Sequence, residues 1–106
     1  MEIPDKTNCP IKRTTDVVGD QWSFLIMREL ILEGPRRFKD FEDVLSVSPN
    51  TLSARLKKLE DAGVIRREFY STHPPRAEYH LTEKGESLKP VIGAMYEWGM
   101  GPGLKQ

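Results

Sequence analysis

The side chains best suited to chemistry lie in residues 48–63, the segment SPNTLSARLKKLEDAG. Ser48 can cap a helix N-terminus, and Pro49 suits the first helical position, where no intrahelical N–H is required. An apolar stripe with i, i+4, i+7 spacing is formed by Leu52, Leu56 and Leu59. From Pro49 to Leu59 there are three basic residues and no acidic one. The segment therefore predicts a helix that packs through leucine and presents small polar and cationic side chains outward.

A helix of this kind can enter the major groove of DNA, where residues in its N-terminal half reach base edges. The candidates for base contacts are Asn50, Thr51, Ser53, Ala54 and Arg55. Asparagine pairs bidentately with adenine, a methyl group contacts thymine, and arginine reads guanine. Contacts to the DNA backbone, which fix register without reading sequence, are expected from Arg36, Arg37, Lys39, Lys57 and Lys58; Arg55 could also grip a phosphate. The alternative interpretation is the solvated face of an ordinary surface helix.

Two strand-like segments follow this helix, residues 64–70 and 77–81, with a proline-stiffened turn between them. Such a hairpin after two closely joined helices is a wing. A narrow minor groove attracts an inserted arginine, so Arg76 is the expected wing contact, with His73 beside it as a contact or a solvated turn residue. His73 and His80 flank the hairpin and Cys9 is distant in sequence, so neither a metal nor a cofactor is expected.

Cys9 is the single cysteine of the chain and stands just before a predicted helix that Pro10 begins. A helix N-terminus and the nearby cations Lys12 and Arg13 favour the thiolate, and hence reactivity. Cys9 is therefore a candidate thiol sensor. Because the sequence offers no second cysteine, a disulfide would have to join two subunits or involve a small thiol. The alternative is a small buried residue packed against the last helix.

Further helices must position these residues. They are predicted over residues 10–18, 21–33 and 37–45, with Gly19, Asp20 and Gly34-Pro35 as boundaries. The apolar residues expected to be buried are Trp22, Leu25, Ile26, Leu30, Phe38, Phe41, Val44 and Leu45, together with Ile31 and Leu32. The three-residue link 46–48 makes a helix-turn-helix of the last two helices. The predicted fold class is mainly α with a small β-hairpin, a winged helix-turn-helix.

A last long helix begins near Thr82 and Glu83, and Pro90 should kink or split it. It carries more apolar side chains than one face can hold, namely Leu88, Val91, Ile92, Met95, Tyr96 and Trp98. We expect some of them, together with Ile11 on the first helix of a second copy, to form a two-fold dimer interface. The alternative is that all of them belong to the core of one chain.

The bulk properties describe one domain, residues 1–106, with flexible ends expected at about 1–8 and 100–106. The chain has no net charge, which neither favours nor opposes nucleic acid. No apolar run could span a membrane and the N-terminus lacks a signal sequence, so a cytoplasmic protein is expected. No nucleophile–base pair, carboxylate dyad or phosphate-cradling loop appears, so an enzyme is not expected.

The ordered set of motifs resembles the HxlR-type winged-helix transcriptional regulators. The matching segments are CPIKRTTDVVGDQW, LIMREL, GPRRFKDF, SPNTLSARLKKLEDAGVI, PPRAEYHLTEKGESLKPVI and EWG. The resemblance implies a bacterial, dimeric regulator of double-stranded DNA without an attached ligand-binding domain, and it names no small-molecule inducer. Some members are similar in using a cysteine at this place to sense oxidants or electrophiles. One departure is Asp20-Gln21, where the family often has Gly-Lys. The competing function is a winged-helix protein-interaction module without DNA binding.

Overall fold

The computed structural model describes residues 9–101, and the predictions for residues 1–8 and for the tail after Gly101 lie outside the described residues. Within this range six helices and three strands follow in the order α1 (Pro10–Val18), α2 (Gln21–Glu33), β1 (Arg36–Arg37), α3 (Phe38–Leu45), α4 (Pro49–Asp61), β2 (Ile65–Thr72), β3 (Pro75–Leu81), α5 (Glu83–Glu86) and α6 (Lys89–Met100). The predicted fold class, mainly helical with a small sheet, is confirmed.

Side-chain caps begin several of the helices at the residues that the sequence indicates. The Asp20 carboxylate accepts the Ser23 N–H at 2.9 Å at the start of α2, and Ser48 Oγ accepts the Thr51 N–H at 3.2 Å at the start of α4. Gly63, with φ +79°, follows α4 in the left-handed conformation that favours glycine. Local sequence thus fixes both ends of α4.

The sheet has three antiparallel strands in the order β1-β3-β2, and its first strand was not predicted. Residues 36–37 pair with β3, with Arg36 opposite Tyr79. The sequence had placed the start of the third helix at about Arg37, whereas α3 begins at Phe38. A strand of two residues has no readable alternation, so only its partner strand defines it.

The hairpin is longer than the sequence indicates. β2 extends to Thr72 and β3 begins at Pro75, which leaves His73 and Pro74, joined by a cis peptide bond, as the turn. The predicted turn over residues 71–76 is therefore wrong at both ends. A bulge at Tyr70 shifts the register, and beyond it Ser71 pairs with Arg76 and Thr72 pairs with Pro75. Proline is tolerated at the first residue of a strand.

The core lies between α2, α3, α4 and the base of the hairpin. Its buried apolar residues are Val18, Ile26, Met27, Leu30, Phe41, Leu45, Val47, Leu52, Leu56, Leu59, Val64 and Ile65. All three predicted leucines of α4 are among them. Leu32 is 69% exposed and Val44 is 47% exposed, so the burial predicted for these two side chains is wrong. Around the axis of α3, Val44 lies beside the buried Phe41 and Leu45 rather than between them, and Leu32 lines an open groove between α2 and α6.

The predicted last helix is split, as Pro90 required. Thr82 Oγ1 accepts the Gly85 N–H at 3.0 Å and caps the short α5. The break falls at Ser87–Leu88, and Pro90 lies in the first turn of α6, where its missing N–H costs no hydrogen bond. Met100, expected in a frayed tail, is the last residue of α6. No helix within residues 9–101 has the length and apolarity needed to cross a membrane.

Candidate nucleic-acid interface

The outward face of α4 is polar and open to solvent. Asn50, Ser53, Ala54 and Lys57 are exposed, while Leu52, Leu56 and Leu59 are buried on the opposite side. Lys57 is 75% exposed and its ammonium lies 3.3 Å from Asp61, one turn further along. Such an exposed pair contributes little to stability, so Lys57 can exchange this partner for a phosphate.

Thr51 is hydrogen-bonded to the N-cap residue of α4. Its backbone N–H donates to Ser48 Oγ, and the Ser48 hydroxyl donates to Thr51 Oγ1 at 3.0 Å. The side chain is half-buried. Its hydroxyl oxygen accepts a hydrogen bond within the cap, and its methyl group is the part suited to an apolar contact with a base.

Arg55 and Lys58 both contact Asp20 at the start of α2. Arg55 Nε lies 3.1 Å from Asp20 Oδ1, and Lys58 Nζ lies 3.2 Å from Asp20 Oδ2. The two side chains are half-buried, at 37% and 36% exposure. The structure thus joins α2 to α4 through one carboxylate that the sequence indicated only as a helix cap.

The environment of Asp20 keeps it charged. Burial raises the pKa of this carboxyl, but hydrogen bonds from Ser23 and the charge of Lys58 outweigh burial and lower its pKa to about 2. The carboxylate is therefore ionised throughout the neutral range, and its contacts with α4 are contacts between charges.

Arg36, Arg37 and Lys39 precede α4 but have different surroundings. Arg36 is committed to the interior, because its guanidinium donates to Glu29 at 2.7 Å and Glu29 is 7% exposed. Arg37 is 55% exposed and Lys39 is 81% exposed, the latter only loosely paired with Asp43 at 3.9 Å. Of the three, Arg37 and Lys39 are available to a phosphate, whereas Arg36 ties β1 to α2.

The wing has exposed residues at its tip and paired charged or titratable side chains at its base. His73 and Arg76 are both exposed. At the base, Arg67 on β2 lies 3.1 Å from Glu60 on α4, which couples the hairpin to the helix. His80 lies 3.0 Å from Glu78. The Arg67–Glu60 pair connects the wing to α4, whereas the His80–Glu78 pair lies within β3, and neither involves the tip residues.

Cys9 caps α1 through its sulfur atom. Sγ accepts the Lys12 N–H at 3.3 Å, and Pro10 is the first helical residue, as the sequence indicated. The side chain is half-buried. Lys12 itself is paired with Asp16 at 3.2 Å. Among the described residues there is no group of three or more His, Cys, Asp or Glu side chains that could hold a metal ion.

The apolar side chains of α6 remain largely uncovered. No residue of this helix is fully buried, and the exposed fractions include 44% for Met95, 66% for Tyr96 and 58% for Trp98. Leu88 and Ile92 are half-buried against the core, Val91 is 38% exposed, and Ile11 on α1 is 52% exposed. Two apolar surfaces result, one centred on Trp98 and one a groove between α2 and α6.

Comparison with known proteins identifies the family. Residues 17–104 match the family model described as the HxlR-like helix-turn-helix. The chain belongs to the HxlR-like helix-turn-helix family. The predicted resemblance is therefore confirmed over all of the helix-turn-helix and the wing.

Individual relatives of this HxlR-like chain agree in sequence and in fold. The helix-turn-helix-type transcriptional regulator YybR of Bacillus subtilis (strain 168) is 38% identical over 97 residues, covering 91% of this chain and 77% of YybR. The redox regulator HypR in its oxidized form has a TM-score of 0.79 at 37% identity, covering 86% of this chain and 94% of HypR. The reduced form of the transcriptional regulator YodB from B. subtilis has a TM-score of 0.75 at 33% identity, covering 91% of this chain and 98% of YodB.

Two features of this HxlR-like surface were missed by reasoning from the sequence. One is the contact of Asp20 with α4, and the other is the commitment of Arg36 to Glu29. In the sequence, only the departure from the family pattern at Asp20-Gln21 pointed to the contact between Asp20 and α4. An arginine beside a two-residue strand carries no signal for the second, since Glu29 lies seven residues away on another element.

Proposed function

We propose that this HxlR-like chain regulates transcription by binding double-stranded DNA as a homodimer on a pseudo-palindromic operator. The observation that carries the proposal is the outward face of α4, where Asn50, Ser53 and Ala54 are exposed at the N-terminal end of the second helix of a helix-turn-helix. This is the part of a recognition helix that reaches base edges. Asn50 is the proposed adenine reader, and Ala54 and the Thr51 methyl are proposed to contact thymine.

The proposed backbone contacts surround this face. Lys57, Arg37 and Lys39 are exposed and only weakly paired within the chain. On the wing, Arg76 is the second residue of β3 after the turn and is proposed for the minor groove, with His73 of the turn near it. Lys58 is proposed as a phosphate contact that keeps its ion pair with Asp20. Arg36 is not proposed as a DNA contact, because its guanidinium is paired with the buried Glu29.

A second copy of the chain is proposed to cover α6. Five large apolar side chains on this helix are more than 35% exposed, namely Val91, Met95, Tyr96, Trp98 and Met100. A contiguous apolar surface on a small domain marks an interaction site. Ile11 on α1 is exposed as well, and we propose that α1 of one subunit packs against α6 of the other. Two recognition helices related by a two-fold axis then read two half-sites about one DNA turn apart.

The rival function, a protein-interaction module without DNA binding, fits the zero net charge but leaves the cationic, acid-free part of α4 unexplained. Binding to labelled duplexes from the DNA upstream of its own coding sequence, compared with random duplexes over a series of salt concentrations, separates the two. DNA binding predicts that log K falls steeply with log salt, because phosphate contacts release counterions.

Two substitutions make this test residue-specific. Asn50→Ala is expected to relax preference at one base position by about 1–3 kcal/mol, whereas Lys57→Ala is expected to weaken all sequences alike and reduce the salt slope by about one. Lys89→Ala is the control, since Lys89 lies near the C-terminal end of α2, opposite the end that contacts α4. If no upstream duplex binds better than random DNA, the proposed function is wrong.

Sensing through Cys9 is proposed as the means of regulation. HypR is described as a redox regulator and has been solved in oxidized and reduced forms, and Cys9 of this chain caps α1 in a half-buried position. Because α1 is also proposed to meet the partner's α6, a change at Cys9 would alter the interface that sets the spacing of the two recognition helices.

A further inference from the structure

Asp20 accepts four hydrogen bonds that are divided evenly between its two oxygens. Oδ1 accepts the Ser23 N–H at 2.9 Å and Arg55 Nε at 3.1 Å. Oδ2 accepts the Ser23 hydroxyl at 2.7 Å and Lys58 Nζ at 3.2 Å. Ser23 is fully buried, so α2 itself fixes the orientation of the carboxylate. The cations of α4 therefore meet a preset acceptor rather than a mobile surface acid.

Arg55 contacts this acceptor through only one of its three guanidinium nitrogens. Within residues 9–101, Nη1 and Nη2 of Arg55 make no hydrogen bond, and the side chain is 37% exposed. A guanidinium is planar and carries five N–H donors in a fixed fork. The hydrogen bond at Nε therefore restrains the orientation of the guanidinium and leaves its two terminal nitrogens as a pair of parallel donors.

We propose that Asp20 is a positioning residue for sequence recognition, which holds Arg55 by Nε so that Nη1 and Nη2 read the O6 and N7 atoms of one guanine in the major groove. This inference rests on the DNA-binding function proposed above. Bidentate arginine to guanine is the commonest specific contact in protein–DNA complexes. A flexible arginine loses side-chain entropy when it is fixed, and Asp20 imposes part of that entropy loss before DNA binds.

The same contact could instead make Asp20 a competitor that withholds Arg55 and Lys58 from DNA. The two roles predict opposite results. A competitor, when removed, raises affinity for every sequence. A positioning residue, when removed, lowers the preference for one base pair even while general affinity rises through the loss of a negative charge. The ratio of affinities for the cognate and the substituted duplex therefore distinguishes them.

The test uses Asp20→Ser. Serine is also a favourable N-cap residue, so α2 keeps its start, but the shorter side chain no longer reaches Arg55. Asp61→Asn is the matched control, because it removes one negative charge beside Lys57 on α4 without touching Arg55. Thermal unfolding of both variants establishes that each is folded before affinities are compared.

Duplexes in which each operator base pair is changed in turn are titrated against the wild type, Asp20→Ser, Arg55→Ala and the double variant. We expect discrimination at one G·C pair to fall five-fold or more in Asp20→Ser and in Arg55→Ala, with no further loss in the double variant. Asp61→Asn is expected to keep discrimination at every position.

Three outcomes overturn the inference. Unchanged discrimination in Asp20→Ser, or a uniform gain in affinity equal to that of Asp61→Asn, shows that Asp20 is only a competing charge. A uniform loss in Arg55→Ala shows that Arg55 grips a phosphate. If the wild type itself prefers no duplex over random DNA, the proposed DNA-binding function is wrong and the inference is wrong with it. This outcome is distinguishable from the other two because it appears in the wild type, before any variant is compared.

Discussion

At the residue scale, the structure gives different surroundings to two cations that look alike in sequence. Lys57 and Lys58 are neighbours, yet Lys57 is 75% exposed beside Asp61, whereas Lys58 is 36% exposed and bound to Asp20. Helical geometry alone separates adjacent side chains by about 100°, which is why one faces solvent and the other faces α2. Lys57, the more exposed of the two, is the better candidate for a phosphate contact that contributes to affinity without reading sequence.

Cys9 carries a prediction at the same scale. Oxidation of the wild type with diamide is expected to release DNA, because a disulfide to the partner's cysteine or to a small thiol removes the sulfur that caps α1. Cys9→Ser is expected to bind DNA as the reduced wild type does and to keep that binding after diamide. Serine is itself a good cap, so α1 is retained. Anisotropy measured before and after oxidation checks both statements.

Retention of diamide-induced release in Cys9→Ser would contradict the sensor. Electrophoresis without reductant adds a readout that a merely structural cysteine would not change. It distinguishes a covalent dimer from a mixed disulfide with a small thiol.

At the element scale, the short α5 is held by close backbone approach as well as by its cap. Lys84 Nζ donates to the Ala62 carbonyl at 2.8 Å, and Thr82 Oγ1 donates to the Gly63 carbonyl. Gly85 is buried, and a Cβ atom added to it would overlap the carbonyl oxygen of Val64. These contacts place the end of the wing against the end of α4.

We therefore expect Gly85→Ala to destabilise the chain by about 1–3 kcal/mol, the usual cost of overpacking a closely fitted site. The measurement is the free energy of unfolding in urea. Glu86→Ala is the control, because Glu86 is exposed in the same helix and only loosely paired with Lys89, so it should remain within about 0.5 kcal/mol of the wild type. Equal stability of the two variants would show that α5 can move away from Val64.

At the scale of the whole molecule, the exposed face of α6 predicts the oligomeric state. The wild type is expected to sediment at twice its chain mass at micromolar concentration. Trp98→Glu is expected to shift it to the monomer, because it places a charge in an apolar interface, and to weaken operator binding. Phe69→Glu is the control for the oligomeric state alone, since Phe69 is equally exposed, at 58%, but lies on the wing, away from α6.

A monomeric wild type at that concentration would exclude the proposed dimer. A dimeric Trp98→Glu would instead place the interface on the groove between α2 and α6. In either case the sedimenting mass of Phe69→Glu reports whether a surface glutamate alone disturbs assembly.

The sequence by itself determined the parts of this protein that depend on near neighbours in the chain. The caps at Asp20 and Ser48, the leucine stripe of α4 and the split required by Pro90 all act within one or two helical turns, so their spacing is readable directly. The order of the motifs was also sufficient to predict the family. It also indicated which face of α4 points outward, since the buried leucines leave only one alternative.

Only the tertiary structure decided what lies across elements. The pairing of β1 with β3, the contact of Asp20 with Arg55 across 35 residues and the burial of Glu29 against Arg36 depend on how the helices pack. A charged side chain has the same appearance in sequence whether it faces water, DNA or a carboxylate, because its partner is chosen by packing and not by local propensity. For this reason the sequence predicted a set of candidate DNA contacts, and the fold divided that set into exposed and internally held residues.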